Sequence, residues 1–282
     1  ASLATSLPEL FIGISSASQG INDLSLGTII GSNVVNLTLV IGVSVMIAGK
    51  VSVESKISKQ NYWLIFVLAF LPLLLIVDGM LSRIDGVLLL VSFGIYTIKL
   101  LHDKEHFQKL VNNGKRLRGK ALVRKTIFYS WQFVFGTVLL LASSFVLVWA
   151  SKLIVAEYFS SNFVLFGVVV VALGTSLPEL VFGARAVMSG LGGAMLGNAL
   201  GSIAFNAAAI IGIVALIQPI PVDFNRDFIT ASVFLFLAFV VFHFFLYTKS
   251  RLSWKEGAML VLLYALFLGF TIPRCVECFV FK

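Results

Sequence analysis

ATSLPEL at residues 4–10 and GTSLPEL at residues 174–180 are two copies of one phrase, and their reading decides the fold. Shifted by 170 residues, the opening of the chain falls on its middle without a gap. Leu26-Gly27 lies on Leu196-Gly197, Gly31-Ser32 on Gly201-Ser202, Asn36 on Asn206, and Ile41-Gly42 on Ile211-Gly212. Apolar composition aligns Leu with Leu by chance. It does not align Thr, Ser, Pro, Glu, Gly and Asn in register, so the chain is organised as an internal repeat.

The repeat sits in an apolar chain. Of 282 residues, 59% are hydrophobic and 12% are charged, with a mean hydropathy of +1.02. An ordinary soluble domain carries about 25% charged residues. A spanning helix needs roughly 20 apolar residues. Stretches of that kind lie near 24–48, 61–79, 84–101, 128–151, 160–187, 194–218, 228–247 and 257–273, and residues 1–17 read as the second half of another. The fold class is an all-α polytopic membrane protein. It has two inverted-topology repeats, ten helices in the parent and about eight and a half here. The chain opens at Ala1, inside a motif that belongs at mid-membrane depth, so the reading expects a helix and a half before it. Residues 1–17 lack the basic start of a signal peptide.

Counting crossings gives the inversion. Five spans separate the Glu9 helix from the Glu179 helix, and an odd number turns the second copy over. Residues 1–101 form the first repeat, 102–126 a basic loop, and 127–282 the second repeat. Inverted repeats mark secondary transporters that bind at the bilayer midplane. Nine of 21 Lys and Arg residues fall at Lys99, Lys104, Lys109, Lys115, Arg116, Arg118, Lys120, Arg124 and Lys125. Lys50, Lys56 and Lys59, and then Lys249, Arg251 and Lys255, fall on the same side if every span crosses once. The positive-inside rule makes loop 102–126 cytoplasmic in the cell membrane. This charge pattern is explained by topology and calls for no nucleic acid; nothing in the sequence signals an obligatory protein partner.

Of 13 Asp and Glu residues, nearly all lie in loops or at span ends, and Glu9 and Glu179 do not. An ionisable group at the bilayer centre costs several kcal/mol and needs a partner or a wet cavity. No Lys or Arg shares their depth, so the two carboxylates call for a cation or for protons. Pro8 and Pro178 have no N–H, which frees the carbonyls of Ala4 and Gly174. Thr5 and Ser6 precede Glu9 by four and three residues, on one helix face; Thr175 and Ser176 repeat this before Glu179. Ser32 and Asn36 are four apart, as are Ser202 and Asn206. Gly42 and Gly212 read as packing glycines. The set is hard oxygen without imidazole or thiol, which selects Ca²⁺ or Na⁺ over zinc or copper.

GTSLPEL followed by G-x-x-x-GS-x-x-x-N resembles the alpha-repeats of the calcium/cation antiporter superfamily, and the prokaryotic sodium/calcium exchangers within it. The turn MLSRIDGVLLL at 80–90 is similar to that family too, and the likeness covers essentially the whole chain. The resemblance implies two inverted five-helix halves that exchange Na⁺ for Ca²⁺ by alternating access. It implies Ca²⁺ between Glu9 and Glu179, with backbone oxygens of Thr5 and Thr175. Ser6, Ser32, Ser176 and Ser202 would line sodium sites with the carbonyls of Ser2 and Ala172, and Asn36 and Asn206 would sit between. Three departures stand out: Asn206 where some exchangers have Asp, Ala4 for the usual Gly, and Ile203 for the Asn of a second GSN.

The alternative of the same class is an H⁺- or K⁺-coupled antiporter of this fold. An intramembrane hydrolase would need a paired Asp or a Ser–His set within spans, and neither is present. Channels tend to repeat around the pore axis, whereas inverted repeats favour alternating access. The expected protein is a transporter and not an enzyme, with no cofactor beyond its transported ions. Cys275 and Cys278 are too few for a structural zinc site.

Overall fold

A computed structural model describes residues 2–52, 59–102, 120–159, 162–248 and 251–280. Nine helices run through the described residues. They are α1 (Ser2–Thr5 and Leu7–Ser18), α2 (Asn22–Val35 to Ile41–Ala48), α3 (Lys59–Leu75) and α4 (Arg83–His102). After them come α5 (Lys120–Tyr158), α6 (Phe163–Phe166 to Leu177–Met188), α7 (Gly192–Ala204 to Ile211–Ile217), α8 (Arg226–Thr248) and α9 (Trp254–Val280). Seven of them are long and apolar enough to cross a membrane. Leu74, Ile84, Leu153 and Leu262 stand out on the surface, as side chains facing lipid would. This is a polytopic helical membrane protein.

One boundary differs from the sequence reading. Helix α5 begins at Lys120, inside the stretch assigned to the basic loop. Lys120 to Thr126 contains neither Gly nor Pro, and its Lys, Arg, Ala and Leu favour helix, so nothing stops the span from extending. The rest of that loop, 103–119, lies outside the described residues, and so do the side chains of Cys275 and Cys278.

The two copies match in detail. Gly20 and Gly190 end α1 and α6 at φ 73° and 75°. Each allows a matching closing bond, Ile21 N–H to Ser16 C=O at 2.9 Å and Leu191 N–H to Ala186 C=O at 2.8 Å. An L-residue with a side chain pays strain at such a φ, which is why glycine stands at both helix ends. At the start of α4, Asp85 accepts from the Ser82 N–H at 2.8 Å. At the start of α9, Glu256 accepts from the Ser253 N–H at 2.6 Å and from its hydroxyl.

Between copies the relation is reciprocal. Strand β1 (Lys50–Ser52) pairs antiparallel with β4 (Arg251–Ser253), and β2 (Met80–Leu81) with β3 (Ile220–Pro221). Each ribbon takes one strand from either copy. The first joins segments that both carry basic residues, in keeping with the side that the charge pattern gave them.

Close helix crossings obey the same exchange. A Cβ on Gly42 would lie 2.8 Å from the Gly257 carbonyl oxygen, and one on Gly212 would lie 3.0 Å from that of Gly86. These contacts bear out the reading of Gly42 and Gly212 as packing residues. Cβ atoms on Gly27 and Gly31 would strike the Val164 and Val168 carbonyls at 2.5 and 2.6 Å, so α2 and α6 touch backbone to backbone. Gly42→Val is expected to destabilise the protein by about 1–3 kcal/mol, the usual cost of overpacking. Gly94→Ala, where an added Cβ meets nothing within 4 Å, should instead stabilise by about 1 kcal/mol through helix propensity. Thermal unfolding in detergent compares the two, and a Gly42→Val protein as stable as the parent would contradict the crossing.

Candidate cation site

The site forms where the two helices carrying the repeated motif are broken. Ser6 takes φ −91°, ψ 12° and Ser176 φ −84°, ψ 1°, each between two helical segments of its helix. Pro8 and Pro178 are the second residues of the restarted segments and supply no N–H to the preceding turn. Glu9 and Glu179 follow directly, in the first turn of those segments. The positive end of a helix favours a carboxylate there. Both are sealed from solvent, at 1% and 0% exposure.

Bonds across the copies bring the motif residues together. Ser6 of α1 donates to Glu179 Oε1 at 3.1 Å, and Ser202 of α7 donates to the same oxygen at 3.5 Å. The hydroxyls of Ser32 and Thr175 lie 3.2 Å apart. Thr5 Oγ1 accepts from Asn198 Nδ2 at 3.4 Å. The Ser2 carbonyl accepts from the Ser6 N–H and the Thr5 hydroxyl, and the Ala172 carbonyl accepts from the Ser176 N–H and the Thr175 hydroxyl. These two carbonyls therefore occupy matching places, each with two donors of its own chain.

Several buried polar atoms of the site are left unpaired among the described residues. Among the described residues, both oxygens of Glu9 have no hydrogen-bond partner. The same holds for Glu179 Oε2, Ser176 Oγ, Asn206 Oδ1, and both amide atoms of Asn36. All of these side chains are buried. Leaving a buried polar group unpaired costs about 1–3 kcal/mol, and more for a charge. Such a group of acceptors has no explanation in packing and suits a positive ligand. It holds no cluster of His, Cys, Asp and Glu of the kind that binds transition metals among the described residues.

Helix winding places two of the ligand candidates. Asn36 opens a π-helical turn, Asn36–Val40, and Asn206 lies in another, Phe205–Ile210. A π-turn widens the helix by one residue and recurs at functional sites. One residue of this neighbourhood entered the repeat comparison only through its replacement in the second copy. Asn33, 1% exposed, accepts from Asn206 Nδ2 at 3.3 Å. Its counterpart in the second copy is Ile203, so a search for matched polar pairs passes over it. The adjacent GSN triplet, Gly31-Ser32-Asn33, was the available signal.

Comparison with known proteins gives a consistent result. The profile of the sodium/calcium exchanger protein family matches residues 1–101 and 128–272. A relative of Alkalimonas amylolytica named "Putative antiporter CaxA" is 31% identical over 225 residues, covering 78% of this chain and 69% of its own. The sodium/calcium exchanger MaX1 of Methanosarcina acetivorans is 26% identical, over 94% of this chain and 85% of its own. Among solved structures, the sodium–calcium exchanger NCX_Mj superposes with a TM-score of 0.63 at 26% identity, over 95% of this chain and 83% of its own.

Proposed function

The chain belongs to the sodium/calcium exchanger protein family, and on that premise we propose that it exchanges Na⁺ for Ca²⁺ by alternating access, with Ca²⁺ held between Glu9 and Glu179. The observation that carries this reading is the group of buried acceptors without partners. Two oxygens of Glu9, Oε2 of Glu179, the amide oxygens of Asn36 and Asn206, and the Ser176 hydroxyl make six. Calcium takes six to eight oxygens at about 2.3–2.6 Å. Two carboxylates also match its charge, so a bound ion leaves the buried site neutral.

Sodium uses the same chemistry in smaller shares. In this reading the hydroxyls of Ser6, Ser32, Ser176 and Ser202 and the carbonyls of Ser2 and Ala172 would hold monovalent ions. Calcium and sodium then compete for the same two negative charges, which is the logic of antiport. The setting is the cell membrane, crossed many times, with the basic loop 102–126 on the cytoplasmic side.

Ca²⁺ uptake into proteoliposomes under imposed Na⁺, K⁺ or H⁺ gradients tests this. Uptake driven by a Na⁺ gradient is expected. Uptake driven only by K⁺ or H⁺ would transfer the coupling to that ion, and no uptake under any gradient would refute the function.

A further inference from the structure

Asn206 is a neutral ligand, and an amide can present either its oxygen or its nitrogen. Only the oxygen can face a cation. Nδ2 of Asn206 is taken up by Asn33 Oδ1 at 3.3 Å, and Oδ1 is left buried without a partner among the described residues. The bond crosses between copies, from α7 to α2. In this arrangement the nitrogen of Asn206 is spent on the protein and its oxygen remains free.

The opposite copy lacks this device. Symmetry would bring Ile203, fully buried, to the place that Asn33 fills for Asn206. Neither amide atom of Asn36 has a partner among the described residues. Two asparagines that match in the repeat are therefore held differently, one tethered and one free.

We propose that Asn33 is a positioning residue, which locks the Asn206 carboxamide with its oxygen toward the cation. The assignment rests on the proposed cation site, but it can fail separately. A carboxylate has oxygen at both ends and needs no such lock, and alanine has nothing to lock. Asn33 should thus matter only while residue 206 is an amide.

The test is a double-mutant cycle read as the apparent Kd for Ca²⁺, from the Ca²⁺-dependent rise in thermal midpoint of the purified protein. Asn33→Leu removes the acceptor at similar volume, and it is expected to weaken Ca²⁺ by about tenfold, the scale of one lost and misdirected hydrogen bond. In Asn206→Asp and Asn206→Ala backgrounds the same change should alter Kd by less than about twofold, since the coupling term vanishes. An unchanged Kd in the Asn33→Leu protein would overturn the proposal, and so would an equal loss in either Asn206 background. Should Asn33→Leu not accumulate, Asn33→Ser, too short to reach Asn206, takes its place with the same expectation. Failure of both to fold would show a packing role and also overturn it. If the parent protein gains no stability from Ca²⁺, the cation site itself falls, which is a different result.

Discussion

Glu179→Gln is expected to abolish Ca²⁺ transport. The amide keeps the shape and leaves Ser6 and Ser202 something to bond, so the fold should persist while half of the site's charge is lost. Two unit charges 4 Å apart interact by about 4 kcal/mol at an effective dielectric constant of 20. A loss on that scale is about a thousandfold in affinity, so transport should fall at least about a hundredfold. Glu9→Gln should do the same with a second signature. Neither oxygen of Glu9 has a partner among the described residues, so an ionised Glu9 in the ion-free protein would be a buried charge without compensation. Removing one commonly stabilises. The ion-free Glu9→Gln protein is therefore expected to melt above the parent and to lose the Ca²⁺-dependent rise. Flux in proteoliposomes and melting in detergent read these out together. Parental Ca²⁺ flux in either variant would remove that glutamate from the site.

The second large effect concerns the empty protein. With both carboxylates ionised and no ion between them, any occluded intermediate buries two like charges, at a cost of several kcal/mol. Calcium or sodium removes that cost. Trapped ⁴⁵Ca²⁺ should leave vesicles quickly when the outside holds Na⁺ or Ca²⁺, and should stay when it holds only an impermeant organic cation. A barrier of a few kcal/mol separates the two rates by about a hundredfold, since each 1.36 kcal/mol is tenfold. Fast loss into the organic-cation buffer would mean a uniporter or a leak. Efflux on acidifying the outside alone would name protons as the coupling ion.

Much of the architecture was legible because it is written twice. A Pro-Glu pair at mid-span is costly once and implausible twice by accident, so the break at Ser6 and Ser176 could be located from Pro8 and Pro178. The spans followed from length and apolar content, within a few residues everywhere except α5 and the far end of α9. What the sequence withheld was whatever depends on the copies meeting. The strands β1 to β4 are two or three residues long and have no alternating pattern. They exist because loops from opposite copies come to lie side by side. The two glutamates read as equivalent, yet the Ser6 hydroxyl reaches Glu179 at 3.1 Å while the matching Ser176 hydroxyl has no partner among the described residues. Asn33 was visible only through its replacement by Ile203 in the second copy, and its bond to Asn206 depends on the copies meeting.

The two mixed ribbons bear on how the protein is made. Lys50 finds Ser253, and Met80 finds Pro221, so each strand from the first half waits for a partner synthesised well over a hundred residues later. Until then the loops at both faces carry unpaired edges, and Gly42 and Gly86 face no helix from the other copy. Contacts this distant in the chain form late and slowly. The first half is thus inserted in the membrane as an unfinished object whose completion depends on the second half leaving the ribosome. A chain that stalls between them would offer open strand edges and bare glycine grooves, which are the features that quality control can detect and that neighbouring nascent copies can wrongly fill.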